Sequence, residues 1–98
     1  MKKLVVEVAR LTGQCDAGLR EGDRFEVTED FRLSGDKCCY FAMSSLVPVL
    51  MALQAGLEPS VLGLSHEQGV AYLQCSDPGH PWTSGGTVVF RVSALKGA

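Results

Sequence analysis

The side chains of this sequence that are best suited to chemistry belong to four cysteines: Cys15, the adjacent Cys38 and Cys39, and Cys75. Thiolates bind soft metal ions and take part in redox reactions, and both roles need several sulfur atoms to meet at one point. The chain has no C-x-x-C pair, and the separations of 24 and 36 residues along the triad Cys15, Cys39, Cys75 match no zinc-ribbon, thioredoxin or ferredoxin pattern. Spacing alone therefore gives a weak metal signal, and a buried cysteine taken singly is more often an apolar filler.

The elements that must position these thiols are predicted from hydrophobic periodicity. Alternation of apolar and polar residues predicts four strands, at about 3–11, 24–28, 70–75 and 87–95. The polar segment 29–37 is predicted as a loop, and 58–69 as a connection with one helical turn at most. The expected fold is α+β: a four-stranded antiparallel sheet with one main helix packed on it, in the order β-β-α-β-β, forming a single domain over residues 1–98.

One amphipathic helix is predicted in the middle of the chain. Apolar residues recur at spacings of three and four at Met43, Leu46, Val47, Leu50, Leu53 and Leu57. The helix is expected from about Cys39 to Ala55, ended by Gly56. Pro48 leaves two possibilities: a kinked helix that begins at Cys39, which we favour, or a shorter one that begins near Ser44.

The predicted positions of the cysteines matter more when the three are considered together. Cys15 follows the first strand, Cys39 opens the helix and Cys75 closes the third strand, so the three can share one end of the domain. Three thiolates would select zinc, copper(I) or an iron–sulfur cluster over harder ions and would leave one coordination position open. His80, five residues past Cys75, is the candidate fourth ligand, although a surface histidine without a role is the commoner case.

The amino-acid composition argues against some classes of binding partner. The formal net charge is −2 and the nine basic residues are scattered, which argues against nucleic-acid binding. No run of about 18 apolar residues indicates a membrane span, and Glu7 and Arg10 interrupt what would otherwise resemble a signal peptide. We therefore expect a cytoplasmic protein with reduced thiols. With 46% hydrophobic and only 20% charged residues, a homo-oligomer or a protein partner is expected to cover apolar surface.

Three motifs resemble a family of small prokaryotic proteins of similar length that has no assigned activity. Residues 13–25, from Gly13 to Phe25, resemble the family's G-x-C-x-x-G-H-x-x-G-D-x-F opening, with Leu19 where the family often has histidine. The family's helix-opening cysteine, followed by aromatic residues, a proline and Q-x-G, corresponds to Cys39 rather than Cys38, and its C-x-D motif to residues 75–77. The resemblance implies a related fold and the triad Cys15, Cys39 and Cys75, but no reaction.

Three functions are consistent with these patterns. The leading hypothesis is a cytoplasmic thiolate module that binds a soft metal or an iron–sulfur cluster and acts as an accessory or sensor for another protein. The alternative is a non-catalytic binding or assembly module with structural cysteines. The third is a thiol redox protein, with Cys39 as nucleophile at a helix N-terminus. No Ser-His-Asp set, phosphate loop or carboxylate pair favours an enzyme.

Overall fold

The computed structural model describes residues 1–35 and 37–94. Within these residues the chain forms five strands, one α-helix and one 3₁₀ turn. Their bounds are β1 Leu4–Thr12, β2 Arg24–Val27, β3 Leu33–Ser34, α1 Tyr40–Gln54, the 3₁₀ turn Pro59–Leu62, β4 Val70–Gln74 and β5 Thr87–Ala94. Leu95, the predicted end of the last strand, lies outside the described residues.

The strands form one antiparallel sheet in the order β3-β2-β1-β5-β4. The α+β class with one helix and an antiparallel sheet is confirmed, but the predicted count of four strands is wrong. The additional strand, β3, lies in the segment predicted as a loop. It comprises two exposed residues and pairs Leu33 with Val27 of β2, so neither burial nor alternation marks it in the sequence.

Alternating side chains of the two central strands build the sheet side of the core. In β1 Leu4, Val6 and Val8 are buried, while the residues between them are partly exposed. In β5 the buried positions likewise alternate, and Phe90 lies directly opposite Val8. These side chains point to the same face of the pleated sheet because side chains alternate with period two.

Helix α1 covers this face with a stripe of apolar residues. Its buried apolar positions are Ala42, Leu46, Leu50 and Leu53, at the spacing of one helical face. The helix has Cys39 as its N-cap residue and continues through Pro48, so the version that begins near Cys39 is confirmed over the shorter one. Gly56, at φ 103°, ends it as predicted, and its N–H donates to the carbonyl of Leu53 at 3.1 Å.

The buried side chain of Gln54 ties the end of α1 to the sheet. Its Nε2 donates to the carbonyl oxygen of Thr28 at 2.9 Å and to that of Lys2 at 3.1 Å. The N–H of Lys2 donates in return to the carbonyl of Gln54 at 2.8 Å. These bonds fix the C-terminal end of the helix, and the first turn at the opposite end lies over the candidate site. No helix of the described residues is long and apolar enough to cross a membrane.

Candidate thiol site

Three cysteines from three separate elements line one pocket. Cys15 belongs to the loop after β1, Cys39 is the N-cap residue of α1, and Cys75 directly follows β4. The pocket has a volume of about 390 Å³ and opens to solvent. All four cysteines are free thiols. Cys38 packs against the core without lining this pocket, so the chain direction at the start of α1 separates the two neighbouring cysteines.

Cys75 is the most firmly held of the three. Its backbone N–H donates to the carbonyl of Val88 at 2.9 Å, and the N–H of Val88 donates to the Cys75 sulfur at 3.3 Å. The sulfur also lies 3.7 Å from the carbonyl oxygen of Asp77. A backbone N–H aimed at sulfur stabilises negative charge on that atom, as do the N–H···S bonds around metal-bound thiolates.

Cys39 places its thiol at the positive end of α1. Its backbone is extended, with φ −118° and ψ 122°, and its side chain makes no capping hydrogen bond. The first turn of the helix contains no acidic residue, and the carboxylates that line the same pocket, Asp16 and Asp77, come from other segments. Because its side chain caps no N–H group of the helix, the sulfur of Cys39 is available to a ligand in the pocket.

Cys15 is positioned by a close approach of two backbones. A Cβ placed on Gly86 would lie only 2.8 Å from the carbonyl carbon of Gln14 and 2.9 Å from the carbonyl oxygen of Thr12. Only glycine lets the segment before β5 approach the Cys15 loop this closely. The N–H of Gly18 donates to the carbonyl of Cys15 at 2.9 Å and closes the turn on the other side.

Hydrogen bonds to one carboxylate hold the loop after Cys75 together. Asp77 Oδ1 accepts from the hydroxyl of Thr83 and, at 2.9 Å, from the N–H of Gly79. These two donors, the hydroxyl of Thr83 first, hold the pKa of Asp77 below its usual value. The carboxylate lines the pocket, and its Oδ2 lies close to Gly85. Asp77 therefore acts as a turn residue, as its place in Asp77-Pro78-Gly79 indicates.

His80, the candidate fourth ligand, is exposed and is not among the residues that line the pocket. Being close in sequence to Cys75 does not bring it to the thiols, because the cross-linked turn intervenes. Two serines join this loop to the helix instead: Ser76 Oγ donates to the carbonyl of Phe41 at 3.3 Å and lies 3.5 Å from Ser44 Oγ.

Apolar side chains form the inner wall of the pocket, and aromatic ones its rim. Leu19, Val88 and Phe90 are almost completely buried. Tyr40, at 91% exposure, and Phe41, at 50%, stand at the mouth. None of the described residues that line the pocket is lysine or arginine. The site therefore offers sulfur atoms, carboxylates and apolar surface, which suit a cation better than an anion.

The thiols share the pocket without forming a finished coordination cage. In the described part of the chain, no group of three or more His, Cys, Asp or Glu side chains is arranged to hold a metal ion. Metal binding would therefore need the three thiols to rearrange within the pocket. The predicted metal role of Cys15, Cys39 and Cys75 accordingly stays a prediction that the common pocket makes testable.

Two residues of the site are not predicted by the sequence patterns. Leu19 differs from the histidine of the related family and has no predicted role, yet it is buried in the pocket wall. The sequence pattern assigns no role to Gly86, yet this residue lies against the backbone of Thr12 and Gln14 that leads to Cys15. The Gly85-Gly86 pair directly before an apolar strand was the available signal, since glycine beside a strand often marks close backbone contact.

The chain matches no protein-family model, no curated protein and no solved structure. Any function must accordingly be inferred from the geometry of its own residues.

Proposed function

We propose that this chain is a small thiolate module that binds a soft metal ion through Cys15, Cys39 and Cys75. The observation that carries the proposal is that these three cysteines, from three elements far apart in sequence, line one pocket, whereas Cys38 does not. Sulfur atoms of this kind select zinc, copper(I) or iron–sulfur centres over harder ions.

The electrostatics of the pocket support a positively charged ligand. With no lysine or arginine in the lining, nothing there pairs with an anion or with thiolates except an incoming cation. The N–H of Val88 already donates to the Cys75 sulfur, and the uncapped N-terminus of α1 lies beside Cys39. Both features place backbone N–H groups beside sulfur atoms that would bind the metal.

The test uses protein purified without oxygen. Metal analysis and an absorption spectrum of the isolated protein come first, followed by titration of the metal-free protein with Cu(I) and Zn(II). We expect one ion per chain with sulfur-to-metal charge-transfer absorption, and a loss of at least about 10-fold in affinity for each of Cys15→Ser, Cys39→Ser and Cys75→Ser. Cys38→Ser is the matched control, because Cys38 is a free, half-buried thiol outside the pocket.

The result that contradicts the proposal is equally specific. If wild type binds neither ion, or if Cys38→Ser weakens binding as much as the other three variants, the pocket is not a metal site. Rapid formation of a disulfide within the triad, with no metal bound, would favour the thiol redox alternative.

The cellular role that fits this site is an accessory or sensing one, in the cytoplasm, where thiols are kept reduced. The described residues that line the pocket include no histidine, lysine, serine or threonine, so the common nucleophile–base pairs are not available there and binding is favoured over catalysis. The resemblance to the small prokaryotic family with three corresponding cysteines agrees with a thiol function and adds no reaction.

A second candidate function, self-association, is favoured by the outer face of α1. The helix contains no charged residue, and Tyr40, Val47 and Met51 are exposed along its solvent side. At ~200 Å² per aromatic side chain, Tyr40 and Phe41 alone offer about 300 Å² per chain. Two copies packed face to face would bury about 600 Å² through these rings, and Val47 and Met51 add to that area, so the interface is of the size of a weak, transient contact. A second copy of the chain is the occupant because an uncharged stripe complements itself.

Sedimentation velocity over a range from micromolar to millimolar protein tests this second function. We expect a weak dimer that Met51→Lys abolishes, because the substitution places two charges in a dry interface. Val61→Lys is the control, since Val61 is 72% exposed but lies in the 3₁₀ turn, outside α1. A monomer at every concentration, or an equal effect of both variants, would refute self-association through this face.

A further inference from the structure

The face of the sheet opposite α1 is partly exposed. Side chains on this face alternate with the core residues of the same strands, and Val5, Glu7, Tyr72 and Arg91 are half-buried there. The register places Arg91 of β5 opposite both Tyr72 of β4 and Glu7 of β1. The row continues to Arg24 of β2, which lies opposite Glu7. Polar and aromatic side chains from four strands therefore form one row across this face.

The fold gathers on this face basic residues that are scattered along the sequence. Arg24 and Arg91 belong to the row, and Arg10 joins them because it lies opposite an outward-facing valine of β5. Within the described residues, none of these three arginines forms a salt bridge, whereas Lys3 of the same face pairs with Glu26 at 3.3 Å. The strands thus present more positive than negative charge here, although the chain as a whole has a net charge of −2.

A shallow hollow lies on the β4 side of this face. It has a volume of about 470 Å³, opens to solvent, and its lining includes Arg10, Leu64, His66, Tyr72 and Val89. Small-molecule sites span roughly 300–1,000 Å³. The rings of His66 and Tyr72 stack, with centroids 5.4 Å apart and an interplanar angle of 22°. No carboxylate is among the described residues that line the hollow. The hollow therefore combines stacked rings with an arginine and apolar surface.

Hydrogen bonds hold the two rings in place. The N–H of Tyr72 donates to the carbonyl of Leu64 at 2.9 Å and fastens the segment before β4 to the edge of the sheet. The Tyr72 hydroxyl donates to Glu67 Oε1 at 2.8 Å, and the N–H of Glu67 donates to Ser65 Oγ at 3.0 Å. The residues on both sides of His66 are thus fixed. A ligand that stacks on this pair loses little affinity to side-chain ordering.

We propose that this hollow binds a nucleotide, with the base stacked on the exposed ring of His66 and the phosphate on the guanidinium of Arg10. Every nucleobase has a flat π-face that stacks on aromatic side chains, and arginine holds a phosphate through paired hydrogen bonds. A free nucleotide and one residue of a single strand present this same chemistry. The site is independent of the thiol pocket, whose wall contains Val88 and Phe90 on the opposite, core face of the sheet.

Titration of the full chain with adenosine monophosphate, followed by NMR of the backbone amides, tests this inference. We expect a Kd below about 1 mM, with shifts centred on β4 and residues 64–66. Adenosine supplies the ring without the charge, and inorganic phosphate supplies the charge without the ring. Each should bind at least about 10-fold more weakly than adenosine monophosphate, since each makes only one of the two contacts.

Substitutions with matched controls locate the site. His66→Ala and Arg10→Gln should each weaken binding of adenosine monophosphate at least about fivefold, the lower end of what stacking one base contributes. His80→Ala and Arg32→Gln are the controls, because both residues are exposed and lie outside the hollow; they should leave the affinity unchanged. All four side chains are exposed, so unchanged melting temperatures are expected throughout.

A single-stranded oligoadenylate of about eight nucleotides separates the two sources of the ligand. If it binds at least about 10-fold more tightly than the mononucleotide and Arg24→Gln removes that gain, the ligand is a single strand that follows the row of arginines. Equal affinities assign the site to the free nucleotide. The inference is overturned if neither compound binds at about 10 mM, or if His80→Ala weakens binding as much as His66→Ala. Cys15→Ser should change none of these results, so the thiol-site function stands or falls separately.

Discussion

Gly86→Ala tests how the Cys15 loop is held against the sheet. The added Cβ would lie 2.8 Å from the carbonyl carbon of Gln14, whereas ordinary van der Waals contact begins at 3.4 Å. The two backbones must therefore separate by about 0.6 Å, because neither can rotate away as a flexible side chain would. Binding sites tolerate displacements of about 0.5 Å, so a shift of this size should hinder Cys15 from joining the other two thiols at a metal ion.

We expect Gly86→Ala to lower both the stability of the fold and the affinity of the site for metal. Overpacking of this size destabilises by about 1–3 kcal/mol, which corresponds to a fall of roughly 5–20 °C in melting temperature for a domain of this length. Affinity for Cu(I) should fall by about 10- to 100-fold, as when a group supporting a metal ligand is changed. Alkylation of Cys15, followed by mass spectrometry, should accelerate because the loop is pushed away from the sheet.

Val27→Ala supplies the control for stability alone. Val27 is buried in β2 opposite Leu4, at the end of β1 far from the Cys15 loop. Its truncation should cost a similar 1–3 kcal/mol without touching the pocket. If Gly86→Ala labels Cys15 at the wild-type rate and binds Cu(I) as tightly as Val27→Ala does, the close contact does not position the thiol and the reasoning is refuted.

Three further predictions concern the frame of the site. Gln54→Ala should lower the free energy of unfolding, measured in urea, by about 2–4 kcal/mol, because two backbone carbonyls lose their hydrogen-bond donor. The control Gln68→Ala, at an exposed position, should change it by less than about 0.5 kcal/mol. Equal effects would show that Gln54 does not hold the end of the helix. Gly56→Ala should cost about 1–2 kcal/mol, since φ is 103° there, and a neutral result would mean that the helix ends differently. The lowered pKa of Asp77 implies stability that is present above about pH 4, the unfolded value, and is lost as pH falls through the folded value; Asp77→Asn should lack this component in urea titrations at several pH values, and an unchanged pH dependence would contradict it.

The sequence predicts a helix or strand of this fold when burial of one face gives its apolar residues a regular spacing. It does not predict a strand that forms only by hydrogen bonding to a neighbouring strand. Alternation in β1 and β5 and the three–four spacing of α1 follow from the faces that these elements bury. The strand β3 leaves no such trace, because Leu33 and Ser34 are exposed and owe their conformation to hydrogen bonding with β2. Two-residue edge strands of this kind are set by the neighbouring strand rather than by their own residue types.

The same distinction applies to the site. The positions of Cys15, Cys39 and Cys75 at element ends follow from local patterns, so that their presence on one pocket is within reach of the sequence. The identity of a fourth donor is not, because it depends on side-chain direction across the fold. His80, near Cys75 in sequence, lies off the pocket, while Leu19, remote from two of the thiols in sequence, lies in its wall.

The three thiols differ in how firmly the fold holds them, and this difference predicts the order in which they bind a ligand. Cys75 is held by two hydrogen bonds with the backbone of Val88, and Cys39 by the start of a helix, so that the backbone of each is placed before any ion arrives. Cys15 sits in a loop whose position rests mainly on the contact with Gly86. A metal should therefore meet two sulfur atoms first and recruit Cys15 last, with the ordering entropy of that loop as the main cost of binding. Cys15→Ser should consequently retain weak two-sulfur binding, whereas Cys75→Ser should abolish it.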